Sequence, residues 1–298
     1  MVQKSVVVIL GPTGVGKSKV GIELAKRLSG EVISADAFAI YKKLDIGTAK
    51  ITLEESDGVK HHLVDILEPE ENYSAYLHVE GTKECIEDIL SRGKVPIIVG
   101  GTGLYVKSLI EEYNFGGTER RDEYRAELEK VLEENGVEAL AKMLVDMSKE
   151  IAGGVDLKNS RRVIRALEIA KFGSEKKTGK TNHLFKTFVL SADREIVYGR
   201  IDSRIDKMLY QGLIPEIESL LKSGLTENHQ SMQAIGYKEF LPYVKGEMGI
   251  EECVELAKQH TRNYAKRQET YFKSMKDAVW IDATNLNKAI EVIYESIK

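Results

Sequence analysis

Eight residues, Gly11-Pro12-Thr13-Gly14-Val15-Gly16-Lys17-Ser18, constrain this chain more than any other feature. They fit the phosphate-loop pattern G-x-x-x-x-G-K-[ST], which works only between a buried strand and the first turn of a helix. The flanks supply both. Lys4 to Leu10 is a continuous β-branched run ended by Gly11-Pro12, as a buried parallel strand should be. From Lys17 to Leu28 apolar residues recur near helical spacing at Val20, Ile22, Leu24, Ala25 and Leu28, before Ser29-Gly30 stops the helix. In such a loop backbone N–H groups curl around phosphate oxygens and the helix amino terminus adds a favourable dipole. Lys17 brings a point charge there, and Ser18 can ligate Mg2+. A polyphosphate site follows, and with it an α/β fold.

The strand and helix signals alternate further along. Glu31 to Ala35 reads as a second strand, His62 to Ile66 as a third, Ser74 caps a helix running towards Arg92, and Val95 to Val99 is a strand again. After Leu109 strand signals stop, and helical patterns with glycine breaks fill Arg121 to Lys171. Thr187 to Leu190 restores a strand. Helices then cover Arg194 to Leu221 and Glu251 to Ser274, with a last strand at Ala278 to Ile281 and a closing helix from Leu286 to Ile297. The fold expected is a P-loop-containing, doubly wound parallel sheet with an inserted helical domain. The core domain is expected over 1–112 and 187–298 and the insertion over 113–186, a division that suits 298 residues.

Composition narrows the classes. No apolar run exceeds five residues, which excludes a transmembrane helix and the apolar region of a signal peptide. Two cysteines, Cys85 and Cys253, cannot make a disulfide framework or a four-cysteine zinc site, so a reducing cytoplasm is the expected compartment. The net charge is −4, yet it is unevenly placed: Lys158 to Lys186 holds nine basic residues against Glu168 and Glu175, and Lys258 to Lys276 holds six against Glu269. Positive charge gathered in two segments of an otherwise acidic chain suits a polyanion bound at one place; two solvated helix faces are the plainer reading.

Asp36 lies just past the carboxyl end of the second strand, where open α/β sheets bind ligands. Its position allows three roles: general base, partner of a Mg2+ shell, or a turn-forming residue. Gly100-Gly101-Thr102-Gly103 follows the Val95 to Val99 strand and can reach the same crevice, or serve as an ordinary strand-to-helix turn. His61 and His62 are neighbours on a strand and point to opposite faces, so they cannot chelate one ion together.

In order along the chain, the phosphate loop, Ile33-Ser34-Ala35-Asp36, Tyr41 with Leu44 to Lys50, and His61-His62-Leu63-Val64-Asp65-Ile66 resemble the tRNA dimethylallyltransferases. Arg92-Gly93-Lys94, Val99-Gly100-Gly101-Thr102-Gly103-Leu104-Tyr105, Arg161 to Glu168, Ala234 to Glu239, and Thr261-Arg262 with Tyr264 to Gln268 continue the resemblance over nearly the whole chain. Without a carboxyl-terminal Cys/His cluster it is similar to the bacterial form. It departs at Asp36-Ala37-Phe38-Ala39, where the family usually carries Asp-Ser, a further residue and often Gln, so a hydroxyl and an amide are missing.

The resemblance implies transfer of a dimethylallyl group from dimethylallyl diphosphate to the N6 amine of an adenosine adjacent to the anticodon in tRNA. Gly11, Pro12, Thr13, Gly14, Val15, Gly16, Lys17 and Ser18 would then hold a diphosphate leaving group, with Mg2+ on Ser18. Asp36, Thr102 and Lys17 would be catalytic. The tRNA anticodon stem-loop would meet Asp36, Ala37, Phe38, Ala39, Thr102, Arg161, Arg162, Val163, Ile164, Arg165, Lys266, Arg267, Gln268 and Lys273. No membrane and no obligate protein partner are implied. The residues also admit a small-molecule kinase, with Arg200 and Arg204 neutralising charge. Also open are an adenylate isopentenyltransferase, against which the basic insertion speaks, and a tRNA-binding paralogue with weak activity.

Overall fold

The computed structural model describes residues 5–112, 119–173 and 183–298. Six strands form one parallel sheet: β1 (Ser5–Leu10), β2 (Gly30–Ala35), β3 (His61–His62), β4 (Val95–Gly100), β5 (Leu184–Ser191) and β6 (Val279–Asp282), in the order β3-β2-β4-β1-β5-β6. Val6 to Leu10 of the central strand are wholly buried, the pattern of a strand covered on both faces. The helix Lys17–Leu28 lies against β4 with Val20, Leu24 and Ala25 inward, and Leu286–Ile297 packs beside it through Ala289, Ile290 and Ile293.

Register sets up the site. Leu10 pairs with Gly100, and Gly100 pairs with Ala35, so the chain leaves three adjacent strands at one level. Gly11, Gly101 and Asp36 are therefore neighbours at the carboxyl edge, the edge where doubly wound sheets bind ligands. At the opposite end of β2, Glu31 is buried and held by Arg92, Lys94 and His62, which keep its carboxyl far below the usual carboxylate range despite burial. Arg92-Gly93-Lys94 thus closes the bottom of the sheet.

Two compact units separate by their contacts, Met1–Ile110 with Thr181–Lys298, and Glu111–Lys180. In the second, Glu119–Met147 is broken by left-handed backbone at Gly136 and is followed by Lys149–Gly153 and Ser160–Phe172. Leu128, Leu140, Leu144, Val163, Ile164 and Leu167 form its core. The expected limits 113–186 need adjustment, because Leu184, Phe185 and Lys186 pair with β1 and belong to the sheet. Residues 113–118 and 174–182, including Glu175, Lys176, Lys177 and Lys180 of the basic segment, lie outside the described residues.

The strand expected over His62 to Ile66 is reduced to His61–His62. Leu63 and Asp65 take positive φ, and the segment instead hydrogen-bonds to the loop below, Asp65 N–H to Ala39 and Ile66 N–H to Ile40.

Candidate active site

One cavity of about 1260 Å3 opens over the carboxyl edge of the sheet, lined by residues of the first unit alone. Thr13, Gly14, Gly16, Lys17 and Ser18 form part of its wall. Gly16 has φ of 104° immediately before the helix, a conformation that costs a side-chain-bearing residue energy and that turns the loop into the helix axis. Gly11, Pro12 and Val15, assigned above to the diphosphate, are buried away from the lining. The Val15 side chain packs in the core, and a Cβ on Gly11 would lie 2.7 Å from the Leu190 carbonyl oxygen. They shape the loop from behind the cavity wall.

The Lys17 Nζ donates to the Pro12 carbonyl at 2.8 Å, folding the side chain back across its own loop. Burial, helped by the nearby Arg204 charge and opposed by Asp36, lowers its pKa to about 7. Arg200, Arg204 and Lys207 line another wall from one face of the helix Arg194–Tyr210, at helical spacing, with the C-cap residue Gln211 beyond them. Arg200 Nη1 also donates to the Val15 carbonyl at 3.2 Å. The Arg204 side chain opens to the cavity, while the surrounding protein removes much of its hydration and lowers its pKa. In the sequence these two arginines are the charge-neutralising groups of the kinase alternative. Here the same pair faces the phosphate loop.

Asp36 lines the cavity, and its Oδ1 accepts the N–H groups of Phe38 at 2.9 Å and Ala39 at 3.2 Å. The turn-forming role is therefore real. It uses one carboxylate oxygen, and Oδ2 takes no part in either bond. Ala39 lines the cavity, whereas Ala37 and Phe38 are half-buried against the adjoining core. Thr102 is half-buried behind the lining, its N–H on the Ala35 carbonyl at 3.1 Å and its hydroxyl hydrogen-bonded to Tyr264. Tyr264, to which the sequence assigns no role, does line the cavity, and burial beside the Asp36 charge pushes its hydroxyl up to about 12.

Several residues assigned to tRNA are elsewhere. Val163 and Ile164 are buried in the core of the helical unit, 0% and 3% exposed, and cannot meet RNA. Arg161 and Arg162 are exposed, but Arg165 pairs with the buried Glu168 at 2.9 Å. Lys266, Arg267 and Lys273 are exposed on or just after the helix Ile250–Phe272, with Arg267 over the Tyr264 ring and Lys273 3.5 Å from Glu269. Gln268 is 6% exposed and lines the cavity, and its amide joins two loops.

Another part of the wall runs through Asp45, Ile46, Thr48, Ala49 and Lys50. Glu216 accepts the N–H groups of Asp45, Ile46 and Gly47 and the Tyr237 hydroxyl, and Lys50 is tied to Asp45, Asp65 and the Tyr41 carbonyl. These partners are up to 171 residues apart and left no local signal.

Comparison with known proteins agrees with this arrangement. A profile described as IPP transferase matches residues 39–275, and one described as isopentenyl transferase matches residues 4–66. A tRNA dimethylallyltransferase of Exiguobacterium sp. is 45% identical over 100% of this chain and 96% of its own length, and one of Bacillus anthracis is 44% identical over 98% and 95%. Among solved structures, a full-length tRNA isopentenylpyrophosphate transferase from Bacillus halodurans superposes with a TM-score of 0.76 at 42% identity, covering 99% of this chain and 96% of the other. A eukaryotic dimethylallyltransferase caught acting on tRNA gives 0.79 at 33% identity, over 95% of this chain and 75% of that one. With the phosphate loop, Asp36 and the Gly101 loop on one cavity and these likenesses running through nearly its full length, the chain belongs to the IPP transferase family, the tRNA dimethylallyltransferases.

Proposed function

We propose that this protein transfers a dimethylallyl group from dimethylallyl diphosphate to the N6 amine of an adenosine beside the anticodon of tRNA, releasing diphosphate. The observation that carries the reading is the convergence of Lys17, Arg204 and Asp36 on one cavity at the carboxyl edge of the sheet. The phosphate loop with Lys17, Arg200 and Arg204 binds the diphosphate and stabilises the charge that grows on it as the C–O bond breaks. Asp36 faces the amine and takes its proton as the N–C bond forms, with Oδ1 occupied by the turn and Oδ2 as the receiving atom. Thr102 and Tyr264 stand beside it and orient the base.

Mg2+ takes its ligands from phosphate oxygens, water and one or two protein oxygens, so the exposed Ser18 hydroxyl on the phosphate-loop wall suits it. When bound it supplies further positive charge to the leaving diphosphate. The target base must leave its stack to enter, at a cost of a few kcal/mol that contacts to the RNA backbone offset. Arg161, Arg162, Lys266, Arg267 and Lys273 are the exposed cations for those contacts. Two free thiols and a tRNA substrate fit a reducing cytoplasm.

Mass spectrometry of nucleosides from tRNA incubated with the protein and dimethylallyl diphosphate tests the reading. N6-dimethylallyladenosine formed without ATP is expected. No product, or equal use of free adenosine monophosphate, would overturn it.

A further inference from the structure

Gln268 spends both ends of its amide inside the protein: Oε1 accepts the Thr13 N–H at 2.9 Å and Nε2 donates to the Gly101 carbonyl at 3.0 Å. Thr13 belongs to the loop that holds the leaving group, and Gly101 precedes Thr102 in the loop beside Asp36. The side chain comes from the helix Ile250–Phe272, itself braced by the Arg262–Asp202 pair and by His260 on the buried Glu239. The β1–β4 ladder ends at Leu10 and Gly100, and beyond it this helix spans the two glycine-containing loops. The fit is close, since a Cβ on Gly101 would collide with Gln268 Nε2, its next neighbour being 3.4 Å away on the same side chain.

We infer that Gln268 is a positioning residue, a clasp that fixes the distance between the leaving-group loop and the acceptor loop, with both ends of its amide spent on backbone groups rather than on tRNA. The inference rests on the transferase reading above. Alkyl transfer needs the two reacting atoms held in near-attack geometry, and an error of about 1 Å between the sites that hold them costs on the order of 10² in rate. Releasing the clasp frees Thr13 from one side and Gly101 from the other, so both the grip on diphosphate and the rate should suffer.

Three variants test it: Gln268→Ala, Gly101→Ala and the double variant. Three readouts are needed, namely single-turnover transfer, inorganic pyrophosphate binding by calorimetry, and tRNA binding by filter assay. Gln268→Ala and Gly101→Ala should each slow transfer about tenfold or more and weaken pyrophosphate binding, while tRNA affinity stays within about twofold. The double variant should be no worse than either single one, because truncating Gln268 empties the space that the new methyl group needs. Multiplying losses in the double variant, or weakened tRNA binding with pyrophosphate binding intact, would overturn the clasp. If the unaltered protein binds pyrophosphate yet modifies no tRNA, the transferase reading fails by itself, and the pyrophosphate series still decides the clasp.

Discussion

Arg165 and Glu168 form an ion pair in the helical unit, Nη1 to Oε2 at 2.9 Å, with Glu168 3% exposed and Arg125 3.5 Å from its other oxygen. A buried carboxylate needs such partners, and this one has two. Arg165→Ala should lower stability by roughly 1 kcal/mol, a modest figure because Arg165 is partly exposed and Arg125 remains. Arg161 and Arg162 on the same helix face outward. Replacing them should leave melting unchanged and flatten the salt dependence of tRNA binding by roughly one unit of log-log slope for each phosphate that is no longer neutralised. Thermal scans and filter-binding titrations at several salt concentrations separate the two classes, and a melting loss from Arg161→Ala as large as that from Arg165→Ala would refute the division.

Burial lowers the pKa of Lys17 from the 10.5 of an ordinary lysine to about 7. Folding therefore disfavours its charged form. The unfolded chain binds the extra proton between those two values, so this group makes stability rise as pH increases from 7 towards 10.5 and exerts its full penalty below 7. Lys17→Met should raise the melting temperature near pH 7, with a difference that narrows as pH rises. Diphosphate must bring the proton back. Pyrophosphate affinity should then fall above pH 7 in the wild type relative to Lys17→Met, and pH-resolved calorimetry on both proteins reads that difference.

Asp36 serves a turn and, in the proposed mechanism, a proton, and asparagine tells these apart. Its amide oxygen can still accept the Phe38 and Ala39 N–H groups, while its pKa is useless for a base. Asp36→Asn should melt with the wild type, keep its pyrophosphate affinity and lose about 10² or more in kcat. A fully active asparagine variant would reduce Asp36 to its turn. Ala37→Ser, which returns the hydroxyl common in the family, should leave kcat unchanged or raise it.

What the sequence disclosed follows from the range of the forces involved. Val6 to Leu10 and Val95 to Val99 announced buried strands because covering both faces demands unbroken apolar runs, and Lys17 to Leu28 and Leu286 to Ile297 announced helices by period. Leu63, Val64 and Ile66 carried a strand-like pattern, but left-handed backbone at Leu63 and Asp65 breaks any ladder there. Arg161 to Arg165 read as one RNA-facing block, although Val163, Ile164 and Leu167 already had the spacing of a core face. The partners of Gln268 and Glu216 are set by tertiary packing across the sheet edge, and no neighbour in the chain records them.

Gly47 lies so closely against Tyr237 that an added Cβ would collide with the ring at Cε2, and the Tyr237 hydroxyl donates to Glu216 at 2.5 Å. Glu216 also gathers the N–H groups of Asp45, Ile46 and Gly47, so the start of the wall segment Asp45 to Lys50 is held by one carboxylate. Removing the tyrosine hydroxyl deletes one of these hydrogen bonds, worth roughly 1 kcal/mol. Glu216→Gln does more harm, because an amide turns an N–H2 group towards backbone donors and leaves them unpaired, a loss of roughly 2–3 kcal/mol. Gly47→Ala forces the ring aside and should cost roughly 1–3 kcal/mol by overpacking. Melting temperatures should therefore fall least for Tyr237→Phe and further for Glu216→Gln. KM for dimethylallyl diphosphate should rise in Glu216→Gln and Gly47→Ala, since the displaced segment lines the cavity. Equal melting losses from Tyr237→Phe and Glu216→Gln would show that the backbone of this loop does not depend on the carboxylate.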